Sequence, residues 1–119
     1  MLPKKTRIPR RIFADLLEKS RYSNSPNFSM RFRLSGEAPR FGVSVSKKVS
    51  KSAVKRNAIR RRVYSSISKF LEKVPSGLFL FVAKPGSVSL KGEKLNTEIQ
   101  LLLRDASAIV SGSEKSYNP

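Results

Sequence analysis

The chain has 119 residues, 39% of them hydrophobic, and a formal charge of +17 from 25 Lys and Arg against 8 Asp and Glu. That length suits one domain with a single core, and a charge that repels itself this strongly points to an acidic partner that neutralises it. With no Cys and no His there is no disulfide framework, no thiolate nucleophile, and neither the commonest general base nor the commonest metal ligand.

In chain order, residues 1–8 are basic and contain Pro3, which predicts an extended arm without the apolar stretch of a signal peptide. Pro9 suits a first helical turn, and Ile12, Phe13, Leu16 and Leu17 give a short amphipathic helix ending near Ser20. Asp15 and Glu18 stand at i,i+3 spacing on it among Arg10, Arg11 and Lys19, a pattern of surface ion pairing more than of metal binding. Tyr22 to Asn27 reads as a loop from its Ser, Asn and Pro content. Phe28, Met30, Phe32 and Leu34 then alternate with Ser29, Arg31 and Arg33, predicting a strand with one apolar and one basic face.

A turn at Ser35 to Pro39 leads to a second alternating strand with Phe41, Val43 and Val45 on one side, and the two are expected to pair as a hairpin. Gly42 inside this strand predicts close approach of another backbone or a bulge. The next helix is predicted to start near Ser50 or Ser52 and to run to about Val74, before Pro75. Its apolar stripe is Ile59, Val63, Ile67, Phe70, Leu71 and Val74, and the same face continues toward the N-terminus as Arg56 and Arg60. Buried unpaired arginines would be costly, so the first turns must project past the core to a wet edge.

Leu78 to Ala83 is apolar on both faces and reads as an interior strand; at six residues it is far short of the roughly 20 a membrane helix needs. Lys84-Pro85-Gly86 ends it. A last helix from about Lys91 carries Leu95, Ile99, Leu102, Leu103, Ala106 and Ile109 on one face and is expected to stop at Gly112. The residues thus predict an α+β sandwich, helix, strand, strand, helix, strand, helix, over 1–112, with a flexible tail at 113–119 and a cytoplasmic location.

The charge is concentrated. Residues 1–62 hold 18 Lys and Arg against Asp15, Glu18 and Glu37, whereas 63–119 hold 7 against 5 acids. From Lys47 to Arg62 there are eight cations in sixteen residues and no acid, interleaved with Val49, Ala53, Val54, Ala58 and Ile59. That interleaving marks a folded cationic surface rather than a low-complexity tail. Lys47, Lys48, Lys51, Lys55, Arg56, Arg60, Arg61 and Arg62 are the candidate phosphate ligands, the arginines because a planar guanidinium can donate two parallel bonds. Asn57 could address a ribose hydroxyl or base edge, or bond local backbone. Phe13, Tyr22, Phe28, Phe32 and Phe41 lie near this basic half; Phe28, Phe32 and Phe41 have core spacing, and Phe13 is the more open candidate for stacking unpaired bases.

The segments Arg40-Phe41-Gly42-Val43-Ser44-Val45-Ser46-Lys47-Lys48-Val49 and Ala53-Val54-Lys55-Arg56-Asn57-Ala58-Ile59-Arg60-Arg61 resemble the bacterial ribonuclease P protein component. Phe81-Val82-Ala83-Lys84-Pro85-Gly86, the leucine-rich last helix, and Lys4-Lys5-Thr6-Arg7-Ile8 leading to Phe13 fit the same family, so the likeness covers about residues 4–110. It implies a subunit that binds a catalytic RNA and the 5′ leader of precursor tRNA and assists endonucleolytic removal of the leader. The RNA, with Mg2+, would perform the hydrolysis. It also implies an α-β-β-β-α-β-α order with a short mixed sheet and a left-handed β-α-β crossover, where the general rule would give a right-handed one.

Carried onto this chain, Arg56 and Asn57 match the first two positions of the family's basic motif, and Arg60 and Arg61 match the pair after it. Lys47 and Lys48 match its basic strand end. Phe13, with Leu17 and Arg31, would line the cleft for the leader. Ala58 stands where the family usually has a second Arg, Tyr64 where another Arg is common, and Leu17 where an aromatic is usual. The rival readings are a ribosomal-type structural RNA-binding protein and a helix-in-groove DNA binder. The second is disfavoured because no turn-linked pair of short helices precedes the basic one.

Overall fold

The structure, a computed structural model, describes residues 7–8, 20–34, 39–70, 74 and 77–117. The helix predicted from Pro9 to near Ser20 lies, but for Ser20 itself, outside the described residues. Four strands, β1 (Arg21–Asn24), β2 (Phe28–Leu34), β3 (Arg40–Ser44) and β4 (Gly77–Ala83), form one sheet in the order β1-β2-β4-β3. Helix α1 (Ala53–Ser68) connects β3 to β4, and a 3-10 turn (Pro85–Ser89) leads from β4 to helix α2 (Gly92–Tyr117).

The doubly apolar β4 takes a central place, as its composition requires. It pairs antiparallel with β2, from Phe28↔Ala83 to Leu34↔Gly77, and parallel with β3, from Arg40↔Leu78 to Ser44↔Val82. The expected hairpin of β2 and β3 is therefore not formed. Alternation decides which face a strand buries but not which strand lies beside it, and inserting β4 between two half-apolar strands covers both of its edges. The segment read as a loop is also corrected: Arg21–Asn24 is an edge strand, antiparallel to β2 from Arg21↔Phe32 to Asn24↔Ser29. Its polar residues suit an edge, because only one side of the strand is paired and little of it is buried. On the far edge Arg7 forms a parallel bridge with Phe41, and the Ile8 N–H donates to the Phe41 carbonyl at 2.8 Å.

One face of the sheet carries the core. Phe28, Met30 and Phe32 of β2, Phe41 and Val43 of β3, and Phe79 and Phe81 of β4 are buried against Ile59, Val63 and Ile67 of α1 and Leu95, Ile99 and Leu102 of α2. Phe32, Phe79 and Phe41 form a row across three strands, with ring centroids 6.2 and 5.6 Å apart. Burial of each such ring contributes about 1.5–3 kcal/mol. The opposite face holds a smaller cluster of Ile8, Leu78 and Leu80, with Val82 packed against it.

Helix α1 begins at Ser52, whose Oγ accepts from the Lys55 N–H at 3.3 Å. It ends at Ser68, earlier than predicted, because the Lys69 and Phe70 N–H groups bond back to Ser66 and Ile67, tightening the last turn to i→i+3. Phe70 and Val74 still pack on the core beyond it. Tyr64 and Ser66, outside the predicted stripe, are buried too, Tyr64 against β3 and Ser66 on the side of α1 that meets α2. Helix α2 runs through Gly112 to Tyr117 instead of stopping there. One interior Gly costs only about 1 kcal/mol relative to Ala, too little to end a helix by itself.

The turn between β1 and β2 is anchored to α2. The half-buried Glu98 carboxylate accepts from the Ser25 hydroxyl, the Asn27 N–H at 2.8 Å and Asn27 Nδ2 at 2.9 Å. Lys84 Nζ donates to the Ser25 carbonyl at 2.8 Å, and the Lys84 N–H to the Asn27 carbonyl at 2.9 Å. The Lys84-Pro85-Gly86 segment thus locks the turn to the end of β4.

Candidate nucleic-acid interface

The parallel β3-α1-β4 unit sends the chain from the end of β3 through a tight turn into the capped start of α1. In that turn the N–H groups of Val49 and Ser50 donate to the Ser46 carbonyl at 3.0 and 3.4 Å. Lys47, Lys48, Lys51 and Lys55 are all exposed, as are Asn57 and Arg61. Arg56, Arg60 and Arg62 are half-buried and hold local structure. Arg56 Nη1 donates to the Ser50 carbonyl at 2.9 Å and the Lys51 carbonyl at 3.0 Å, tying the lysine turn to the helix. Arg62 Nη2 donates to the Val88 carbonyl at 3.1 Å, joining α1 to the 3-10 turn.

Asn57 Oδ1 accepts from Arg60 Nη1 at 2.6 Å, one turn along α1. Of the two roles open to Asn57, its oxygen serves a local one, and its amide group remains on the exposed surface. The nine basic-run candidates therefore follow one another along a ridge of turn and helix, with Lys47, Lys48 and Lys51 before α1 and Lys55, Arg56, Asn57, Arg60, Arg61 and Arg62 on it. No acid occurs between Lys47 and Arg62. The acids gather elsewhere: Glu93, Glu98 and Asp105 line a cleft beside the β1–β2 turn.

Tyr64, at the position where the resemblance leads one to expect Arg, is buried. Burial pushes its phenol above the ordinary value, opposed by a hydrogen bond with the Val43 backbone and by nearby Arg7 and Arg60. A neutral phenol held against β3 is a core residue and no part of the cationic ridge.

Arg31 lies on the other face of the sheet. The register puts Tyr22, Arg31, Leu80 and Gly42 in one row across all four strands. The Arg31 guanidinium sits 5.9 Å from the centroid of the Tyr22 ring, which is 60% exposed. Phe13 and Leu17 lie outside the described residues. The sheet separates Arg31 from the ridge on α1, so the candidate site has two parts. Tyr22 was missed as a member of the second part because a strand of Arg, Tyr, Ser and Asn has no apolar alternation. Its adjacency to Arg31 comes only from the β1–β2 register.

Among the described residues no three acids, His or Cys converge to hold a metal, so this donor set does not fit a Mg2+ cage. Nor is any helix among them long and apolar enough to cross a membrane.

A family model described as Ribonuclease P matches residues 2–107. The chain belongs to the ribonuclease P protein family. Within that family, the chain is 37% identical over 71 residues to the ribonuclease P protein component of Microcystis aeruginosa, covering 59% of this chain and 59% of that one. It is 27% identical over 108 residues to the component of Xanthomonas oryzae pv. oryzae, covering 90% of this chain and 74% of that one. Among solved structures, a mutant ribonuclease P protein of Staphylococcus aureus with defective mRNA degradation activity superposes with a TM-score of 0.80 at 20% identity, over 87% of this chain and 90% of that one. The ribonuclease P protein of Thermotoga maritima gives 0.76 at 20% identity, over 83% and 96%. The ribonuclease P protein fold therefore frames both the ridge and the Tyr22–Arg31 row.

Proposed function

We infer that this chain is the protein subunit of ribonuclease P, binding its catalytic RNA and the 5′ leader of precursor tRNA in the cytoplasm. The observation that carries this reading is the acid-free cationic ridge from Lys47 to Arg62, exposed on a turn and helix of a ribonuclease P family member. Each ridge cation that meets a phosphate releases counterions, so affinity falls steeply with salt. Asn57 and Arg60 add a directional pair beside those charges. On the other face, Tyr22 offers a ring to an unpaired base and Arg31 a charge to the leader backbone. The protein's own contribution is binding and orientation. Hydrolysis, with the Mg2+ it uses, belongs to the RNA.

Reconstitution tests this. The protein is added to a bacterial ribonuclease P RNA at low Mg2+ with precursor tRNA, and leader removal is followed. A marked gain over RNA alone is expected. No gain would overturn the reading in favour of a structural RNA-binding role, and cleavage by the protein alone would overturn the assignment of chemistry to the RNA.

A further inference from the structure

Among the described residues the exposed large hydrophobic side chains are Tyr22, Val54 and Leu101. Tyr22 has Arg31 beside it, whereas the other two sit in surfaces of opposite charge. Val54, 75% exposed, stands in the first turn of α1 with Lys51 and Lys55 exposed near it, so the cationic ridge has an apolar tip. A valine side chain has no donor for a phosphate. Leu101, 46% exposed, lies in the cleft of about 500 Å3 between α2 and the β1–β2 turn.

Three of the chain's eight acids, Glu93, Glu98 and Asp105, line that cleft against one cation, Lys94. An acidic cluster alone would not define a site, but here it surrounds an apolar lining of Pro26, Leu101 and Leu102. Glu98 is tied to the turn, which leaves the exposed Glu93 and Asp105 to meet a partner's cations. They stand about 18 Å apart along α2, at 1.5 Å per residue, with Leu101 between them. Such a surface repels a phosphate backbone and fits an occupant that is cationic with an apolar tip. The ridge has that chemistry. Within one chain the sheet keeps the two apart: α1 follows β3 at one edge, and the cleft abuts the turn beside β1 at the other.

We propose that the cleft takes the ridge of a second copy of this chain, with Val54 packing on Leu101 and the lysines beside it facing Glu93 and Asp105, in a head-to-tail contact that RNA displaces. The two surfaces differ, so the contact is heterologous, and each copy in a row keeps a ridge or a cleft free. Its small size makes it weak and transient. The charge of +17 opposes association at long range, but at about 0.15 M salt the Debye length is about 8 Å, which screens whole-body repulsion more than contacts within the interface. Displacement by RNA rests on the reading of the ridge as the RNA-binding surface; the contact itself does not.

Sedimentation velocity of the full chain without RNA, from about 10 μM to about 1 mM at about 0.15 M salt, tests the contact. Wild type is expected to sediment faster as concentration rises. A cleft variant, Leu101→Lys with Asp105→Lys, and a ridge variant, Val54→Ser with Lys55→Gln, should each weaken association about tenfold or more. Mixed in equal amounts, the two variants share one intact ridge and one intact cleft, and are expected to form a dimer and nothing larger. The cleft variant should bind ribonuclease P RNA as wild type does, which also shows that it folds. Equimolar RNA should disperse the wild-type associates to one protein per RNA.

A wild type that stays monomeric throughout would overturn the second copy as the occupant. Association unchanged in the cleft variant, or a mixture of the two variants that stays monomeric, would overturn this pairing of surfaces. Associates that persist with RNA bound would overturn displacement. A contact that responds to both variants as expected, in a protein with no preference for ribonuclease P RNA, would support the contact and overturn the functional reading instead.

Discussion

Arg56 donates through Nη1 to the carbonyl of Ser50 at 2.9 Å, closing the lysine turn onto the first turn of α1. A second bond, to Lys51 at 3.0 Å, leaves the carbonyls of the turn's last two residues satisfied by one guanidinium. Arg56 therefore positions Lys47, Lys48 and Lys51 in addition to carrying its own charge.

This distinguishes Arg56 from Arg61, which is exposed. Arg61→Ala should weaken RNA binding and reduce the salt slope by about one, the result of removing a single phosphate contact. Arg56→Ala should reduce it by more than one, because the lysine turn loses its tether. Arg56→Lys keeps the charge but is shorter and lacks the planar Nη1 group that donates to both carbonyls, so it should recover only part of the loss. Filter binding across a salt series reads all three; equal slopes for Arg56→Ala and Arg61→Ala would show that the tether has no role in binding.

Much of this arrangement was legible in the sequence, and the limits have physical causes. The faces of β2, β3 and both described helices follow from apolar period, so the core residues Phe32, Phe41 and Ile59 could be named in advance, whereas β4, apolar on both sides, shows only that it is interior. Period does not encode neighbours, which is why β2 and β3 were expected to pair although β4 lies between them. The ridge was legible because its cations are contiguous in sequence. The cleft lined by Ala58, Ser66, Lys69 and Gly92 was not, because only the packing of α1 on α2 brings these residues together. The Tyr22–Arg31 contact was hidden for the same reason, since it depends on the register of an edge strand without an apolar signal.

Gly86 tests the lock on the β1–β2 turn. A Cβ built there would lie 2.1 Å from Asn27 Oδ1, so Gly86→Ala must push the Asn27 side chain away. That side chain is held by Glu98, and the displacement would cost its bond to Oε1 at 2.9 Å. Gly86→Ala should destabilise the fold by about 1 kcal/mol, the typical worth of such a bond. Asn27→Ala removes the clash and the bond together, so the double variant should be less destabilised than the sum of the singles. Urea unfolding measures the coupling, and strict additivity would refute the clash.

On the proposed reading, the Tyr22–Arg31 pair serves leader binding and the ridge on α1 serves RNA-subunit binding, so the two can be separated by mutation. Tyr22→Ala should weaken binding of precursor tRNA by the assembled holoenzyme by about 1 kcal/mol or more, the low end of base stacking on an aromatic ring. It should leave binding of mature tRNA and of the RNA subunit unchanged, because the row lies across the sheet from the ridge. Tyr22→Phe keeps the ring and should restore the affinity. An equal loss for precursor and mature tRNA would remove this face from leader recognition.

Tyr64 gives the fold an alkaline signature. Its phenol is pushed upward chiefly by burial, so the folded state favours the neutral form more than the unfolded chain does. The sign follows from proton uptake: below the unfolded value of about 10 the contribution is fully present, and it is lost as pH rises through the higher folded value. Tyr64→Phe keeps the ring in the core but gives up the hydrogen bond with Val43, at a cost of about 1 kcal/mol near neutral pH. Above about pH 10 that difference should shrink and then reverse, because the variant has no phenol to ionise. Comparing the two proteins removes the shared effect of lysine deprotonation, which relieves repulsion in both. Chemical unfolding from pH 7 to 11 supplies the measurement; a wild-type advantage that stays constant across the series would mean that the Tyr64 phenol ionises as readily in the folded protein as in the unfolded chain.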